Sequence, residues 1–308
     1  MDAGDLMWKS KTLDSSRVAQ QRVKARLQLE AFVSTGIDAM VLGDADLTLG
    51  LGWIGQQVSE FGLPYVATNF TCDGIPMPTH RVVQAGDLSV GVLGVMGREQ
   101  AGACTFRAVV PAINDALDEL EEVDLVVVLS HQDSSAERGM AAAVPAIDVV
   151  INGHSKKSTP SPVSLGESAV QLGSGSRGKK LGIATIRTED GATVFAVEGR
   201  AEELKRKVER AEERISKTRK QLSRAEDERS VSRLQGRLRR LARQAEQARS
   251  ALVESQKPPG PAHRIKNKLR PLGEGVADHE AVSAMVQSAK PLISAAAAVT
   301  VPPHAKAS

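Results

Sequence analysis

The sequence predicts an α/β fold with an appended antiparallel helical hairpin, and three observations predict it. Between residues 109 and 151 helical and strand patterns alternate, the order that builds a sheet covered by helices. Apolar runs end in tight polar turns at Gly43-Asp44, Ser130-His131 and Gly153-His154, and Gly4-Asp5 has the same form. Turns of this kind gather side chains at the carboxyl edge of a sheet, where open α/β folds place their sites. Over residues 201–255 apolar residues then recur at three-four spacing, the mark of long amphipathic helices.

Each element follows in order. Asp2-Ala3-Gly4-Asp5 reads like the end of a buried strand whose earlier part is missing, which points to an amino-terminal truncation or a misplaced start. Asp14-Ser15-Ser16 caps a helix running through Val18, Val23, Leu27 and Ala31 to Gly36. Ala39–Leu42 is a short buried strand leading into Gly43-Asp44-Ala45-Asp46, Trp53–Phe61 a helix, and Pro64–Ala67 a strand before Asn69. Leu88–Val95 is a strand, Val109–Leu120 a helix, Leu125–Leu129 a strand, Ala136–Ala143 a helix and Val149–Ile151 a strand. Val163, Ala169–Leu172, Leu181–Ile186 and Thr193–Val197 follow as a meander that would supply a second sheet.

The helical segment divides at Glu226-Asp227-Glu228-Arg229-Ser230, where the three-four spacing slips. The reading is an antiparallel coiled-coil hairpin; the competing reading is one long helix with a stammer that dimerises through its seam. Pro258-Pro259-Gly260-Pro261 ends the element. A helix near Asp278–Ile293 and a disordered Ala/Val/Pro tail complete the chain. The expected domains are therefore 1–200, the helical hairpin 201–256, and a Pro-rich linker, helix and tail over 257–308.

With 308 residues, one large domain plus an appendage is the natural size. The net charge of +3 is unevenly placed: residues 201–257 carry 17 Lys/Arg against 10 Asp/Glu, so the remainder is acidic. Both signs are interleaved there and aromatics are absent, which favours a solvated surface for self-association or a protein partner over nucleic acid. No apolar run is long enough to span a membrane. The amino terminus is not a basic-then-apolar leader, so the sequence as it stands reads as cytoplasmic; a missing upstream signal would make it periplasmic or extracellular. Cys72 and Cys104 could pair or remain free.

The order Gly4-Asp5, Gly43-Asp44-Ala45-Asp46, Asn69, Ser130-His131, Gly153-His154-Ser155-Lys156 resembles the calcineurin-like metallophosphoesterases, and within them the amino-terminal domain of the 5'-nucleotidase family. The likeness runs over residues 1–200, through "GIDAMVLGD", "LPYVATNF", "VDLVVVLSHQD", "IDVVINGHS" and "GSRGKKLG". It implies a four-layer sandwich, two packed sheets flanked by helices, with divalent metal at the sheet edge. It also implies hydrolysis of phosphomonoesters, nucleotides among them, by metal-activated water. Imidazole and carboxylate together suit Zn, Mn or Fe.

Residue by residue, the resemblance places Asp5 at the bridging aspartate, Asp44 at the ligand asparagine, and His131 and His154 at two histidine ligands of one metal. It leaves the other metal with no ligand beyond the bridging Asp5, so one site rather than two is expected. Ala45 stands at the position of the family's general acid. Lys156 stands where the family has a His or Gln ligand, and an ammonium about 5 Å from a dication would cost about 6 kcal/mol at an effective dielectric near 20. Lys156 then points to solvent or serves as a fixed charge for an anionic substrate. Asp46 is a weak candidate for the missing acid, with a surface-loop carboxylate as the plainer reading, and Asp2 is a turn former. Gly173–Lys180 reads as a turn rather than a phosphate loop, from which Arg177 could reach an anion. These departures leave two functions: an impaired phosphoesterase, or an inactive scaffold that binds a protein partner through 201–256.

Overall fold

The computed structural model describes residues 1–8, 10, 12–97, 104–255 and 260–298. Two compact units divide the chain: Met1–Ile183 with Asn267–Ser308, and Ala184–Lys266. In chain order the elements are α1 (Val18–Ser34), α2 (Leu51–Phe61), β1 (Phe70–Cys72), β2 (His80–Ala85), β3 (Leu88–Met96), β4 (Cys104–Phe106), α3 (Val109–Glu119), β5 (Leu125–His131), α4 (Ser134–Ala143) and β6 (Val149–Asn152). They continue with β7 (Val163–Leu165), β8 (Ala169–Leu172), β9 (Lys180–Arg187), β10 (Phe195–Val197), α5 (Arg200–Leu222), α6 (Glu228–Ser255), β11 (His263–Pro271) and α7 (Glu280–Ala298).

The first unit is organised around a six-stranded sheet of order β2-β3-β5-β6-β8-β7. Its four inner strands are parallel and the two edge strands antiparallel. Every residue of β5 is buried, which is why Leu125-Val126-Val127-Val128-Leu129 is a continuous apolar run rather than an alternating one. On one face Leu93, Val95, Val128 and Val150 pack against Ile113 and Ala116 of α3 and Met140 and Ala141 of α4. Each fully buried aliphatic side chain contributes about 1.5–3 kcal/mol, so this layer fixes where β5 and β6 end.

At Gly94 of β3 a Cβ would overlap the carbonyl oxygen of Val66 and press on Val41. Glycine thus lets a second extended layer approach the sheet, and Thr68 N–H donates to the Gly94 carbonyl at 2.7 Å. That layer is a ladder of single bridges, Asp2 to Met40 and Met40 to Tyr65, both parallel. Ala39–Leu42 and Pro64–Ala67 are therefore not the strands that the sequence suggests. Pairing stops after Met40 because the N–H of Gly43 turns to the Asp46 carboxylate instead of to a neighbouring strand (3.0 Å).

Other departures have similar local causes. Strands β7 and β8 add to the six-stranded sheet, while β9 and β10 lie in a three-stranded sheet of order β10-β11-β9, so no single meander forms. Strand β11 falls in the stretch that reads as a Pro-rich linker; its burial pattern is largely exposed, which leaves little apolar signal. Cys72 and Cys104 face each other in the β1–β4 pair and form a disulfide. Helix α7 packs on α1, with Gln20 Nε2 donating to the Ile293 carbonyl at 3.5 Å. The tail from residue 299, expected to be disordered, lies outside the described residues.

In the second unit β10 and β11 pair in parallel, Phe195 beside His263 and Val197 beside Ile265. Helices α5 and α6 are separate and pack together, burying Leu204 and Thr218 of one and Leu234, Leu241 and Ala245 of the other. Glu212 pairs with Arg249 at 2.5 Å, linking the middle of α5 to the later half of α6.

Candidate metal centre

At the carboxyl end of β5, His131 is buried and lies beside two carboxylates. Its Nε2 is 3.3 Å from Asp44 Oδ1 and 3.5 Å from Asp5 Oδ1. One strand over, just past the end of β6, His154 places its Nδ1 3.2 Å from His131 Nε2. One donor atom each of Asp44, His131 and His154 lie within 4.8 Å of one another, close enough to hold a single metal ion. Asp44 and His131 are buried and His154 is the more accessible of the three. Asp5 adjoins the cluster at His131.

Each of these side chains is placed by a specific contact. His131 Nδ1 sits 2.8 Å from the carbonyl oxygen of Ala3. A carbonyl can only accept, so Nδ1 carries the proton in the neutral ring and Nε2 turns its lone pair to the cluster, the arrangement typical of metal-binding imidazoles. The chain passes Ala3 so closely that a Cβ at Gly153 would overlap the Ala3 carbonyl. His154 follows from a turn held by Asn152, whose Oδ1 accepts the Ser155 N–H at 2.7 Å. Asn152 Nδ2 in turn donates to the buried Glu137 of α4, which also receives Gln171 Nε2. Asp133 caps α4 immediately after β5, accepting the Ser135 N–H at 2.7 Å and the Ala136 N–H at 2.9 Å.

Asp5 and Asp44 are organised by Asp46. Asp46 is fully buried, and its two oxygens accept the N–H groups of Met7 (2.8 Å), Asp5 (2.9 Å), Gly43 (3.0 Å) and Trp8 (3.3 Å). It is neither the surface carboxylate nor the free acid that the sequence admits. Asp5 has a positive φ of 58°, a region non-glycine residues seldom occupy, and its Oδ1 accepts the Ala45 N–H at 2.9 Å. Burial raises the Asp46 pKa to about 7, with the Asp5 charge adding to it while the Gly43 and Met7 N–H groups oppose it. For His131 burial works against the charged ring, but hydrogen bonds to Asp44 and Asp5 outweigh it and push the pKa up to about 10. Without a cation the cluster is thus an imidazolium against carboxylates, a concentration of negative charge that favours a positive occupant.

The remaining sequence candidates lie elsewhere. Ala45 is buried with a methyl group that has no proton to give. Lys156 and Arg177 are exposed, and no hydrogen bond or ion pair joins either to the cluster among the described residues. Arg177 also has a positive φ of 63° in the loop after β8. Asp2 is a turn former: its Oδ1 accepts the Gly4 N–H at 3.0 Å. Asn69 uses its whole amide on the backbone of Met96, accepting at 2.9 Å and donating at 3.0 Å, and so ties the approach to β1 to the end of β3. The Ala3 carbonyl had no sequence signal at all, and Glu137 reads only as one acid of a helix.

No family model matches the chain. Bovine 5'-nucleotidase is 26% identical over 137 residues, covering 39% of this chain and 24% of that protein; human 5'-nucleotidase is also 26% identical, over 135 residues. The chain spans about a quarter of the length of these curated relatives. Among solved structures, the calcineurin-like phosphoesterase YfkN of Bacillus subtilis aligns with 96% of this chain and 84% of its own, at a TM-score of 0.58 and 14% identity. The chain has the metallophosphoesterase fold of the 5'-nucleotidase amino-terminal domain. The sulfate thiohydrolase SoxB of Thermus thermophilus shares that fold over 60% of this chain, at a TM-score of 0.50 and 21% identity. Within this metallophosphoesterase fold, Asp44, His131 and His154 lie at the carboxyl edge of the six-stranded sheet and the bridged layer beside it.

Proposed function

We propose that this chain is a metal-dependent phosphoesterase of 5'-nucleotidase type, slowed by the loss of its acid. The observation that carries the reading is the convergence of Asp44, His131 and His154 within 4.8 Å, with His131 held by the Ala3 carbonyl. These residues would hold one divalent cation of the Zn, Mn or Fe kind, with Asp5 beside them. Such a cation supplies Lewis-acid polarisation of a phosphoryl oxygen and a water nucleophile at neutral pH. The chain's own part is to aim the His131 lone pair, to fix Asp5 and Asp44 through Asp46, and to present cations on exposed loops, where Lys156 and Arg177 would draw in a phosphomonoester or nucleotide. Ala45 can neither protonate a leaving group nor stabilise developing charge, which removes about 10²–10⁴ in rate.

Ala45 favours a second reading, an inactive scaffold whose α5–α6 pair is a coiled-coil hairpin for protein contacts. Measured metal content and p-nitrophenyl phosphate turnover separate the two. The enzyme reading expects about one transition-metal ion per chain and slow hydrolysis, both falling more than about tenfold in His154→Ala. Protein that takes up no metal and hydrolyses nothing above the blank would reject it. The Cys72–Cys104 disulfide supports an oxidising location, periplasmic or extracellular; among the described residues no helix is long and apolar enough to cross a membrane.

A further inference from the structure

Charges that look interleaved along residues 201–257 are sorted in space. Where α5 begins and α6 ends, over 200–213 and 244–255, six basic residues stand among seven acidic ones. The ion pairs of Glu203 with Lys207, Glu212 with Arg249 and Glu246 with Arg249 all lie there. The distal half, 214–243, carries eleven basic residues against three acidic ones. Those three, Glu226, Asp227 and Glu228, sit at the turn, where negative charge complements the amino terminus of α6 and Asp227 accepts the Ser230 N–H at 2.8 Å.

The basic surplus forms a continuous face. On α6 Arg229, Arg233, Arg237 and Arg240 recur at intervals of four, four and three, so they stack on one side of the helix. With Arg243 they span about 120° of arc and about 21 Å of length. All five are exposed, and none forms an ion pair among the described residues. Arg214, Arg219, Lys220 and Arg224 add exposed charge from α5. Like charges at this spacing destabilise a helix by about 0.2–0.5 kcal/mol per pair, so stability of α6 does not account for them. Nor does solubility, which alternating signs serve equally well.

We propose that the distal half of α5 and α6 is a docking surface for an anionic phospholipid surface. Guanidinium groups fork onto phosphate oxygens better than ammonium groups do, and α6 contains arginine and no lysine. A row of guanidinium groups about 21 Å long suits an extended array of phosphates. The segment 214–243 has no aromatic residue on which unpaired bases could stack. The Cys72–Cys104 disulfide supports an oxidising compartment, where a membrane outer surface is the available phosphate array. Attachment would be electrostatic and peripheral, without insertion.

The test is co-sedimentation of the full chain with vesicles of phosphatidylcholine alone or with about a third phosphatidylglycerol, at low and at 0.15 M salt. Binding to the anionic vesicles alone, weakening as salt rises, is expected. The triple variant Arg233→Gln, Arg237→Gln, Arg240→Gln should lose about a hundredfold in affinity. Changing the same three to Lys should retain most of it, and Lys205→Gln, Arg206→Gln, Arg210→Gln should bind like the unaltered chain. Circular dichroism establishes that each variant keeps its helices. Equal binding to phosphatidylcholine, no loss in the triple Gln variant, or the same loss in the Lys variant would overturn the proposal. Tighter binding to duplex DNA than to anionic vesicles at equal salt would overturn it in favour of nucleic acid.

Discussion

Asp5 and Asp44 come to the cluster from the bridged segments around Asp2, Met40 and Tyr65, whereas His131 and His154 come from the ends of β5 and β6. The two halves are held by different physics. The imidazole half rests on regular parallel pairing and on buried aliphatic layers, where many small contributions make the strand ends insensitive to any one residue. The carboxylate half has single bridges in place of strands, and a single buried carboxylate does what pairing does elsewhere. A site can therefore be rigid on one side by redundancy and on the other by one side chain, and the second kind of order is the more fragile.

Removing Asp46 should give the largest effect of any single change behind the site. Asp46→Ala strands four backbone N–H groups, those of Asp5, Met7, Trp8 and Gly43, in a buried place. A loss of about 3–5 kcal/mol in urea unfolding is expected, with Asp46→Asn losing about half as much because one acceptor oxygen remains. A loss under about 1 kcal/mol would show that the bridges alone hold this half.

The disulfide comes next. Cys72 follows directly from the bridged segment by way of Asn69, and its bond to Cys104 closes a loop with a sequence separation of 32. Replacing both cysteines by serine should cost about 3 kcal/mol in the same assay. The carboxylate half should suffer first, seen as faster hydrogen exchange at Met40 and Val66 than at Val127 and Val128. Equal acceleration in both places would erase the distinction between the halves.

This contrast also explains what was legible in the sequence. The buried run Leu125–Leu129 and the text Val149–Ile151 announce strands, and a histidine just beyond each strand end is visible as a candidate. Helix α1 was legible from the Asp14 signal before it and Gly36 after it, and α2, α3 and α4 from their place between apolar strand runs. Asp46 was not legible, because a carboxylate in a Gly-Asp-Ala-Asp turn gives no sign that four distant N–H groups will converge on it. Strand β11 and edge strand β2 give little signal because β11 is largely exposed, β2 has no fully buried residue, and neither shows apolar alternation. The sorting of charge on α5 and α6 was hidden for another reason: helical phase and the fold-back decide which charges meet.

Where the halves touch, Gly153 lies against Ala3. Gly153→Ala would push the Ala3 carbonyl, and with it the acceptor of His131 Nδ1, at a cost of about 2 kcal/mol. Metal affinity should fall by more than this loss of stability accounts for, because the ring of His131 loses its orientation. Calorimetric titration with Zn²⁺ on folded variant protein reads it, and unaltered affinity would mean that the two halves are independently placed.

The smallest effect concerns Glu137, behind the imidazole half. Burial raises its pKa above the ordinary 4.5, against the opposing hydrogen bonds from Asn152 and Gln171. The folded state then binds the proton more tightly than the unfolded chain does, so the contribution is fully present below the unfolded value. It is lost as pH rises through the folded value and constant above it. Glu137→Gln cannot titrate, so the stability of the unaltered chain relative to this variant should decline with rising pH across that window and then level. A relative stability that instead rises with pH and then levels would show that Glu137 is charged in the folded chain throughout. The order around His154 would then come from an ion held by Asn152 and Gln171 rather than from a shared proton, and the imidazole half would depend on a single buried charge much as the carboxylate half depends on Asp46.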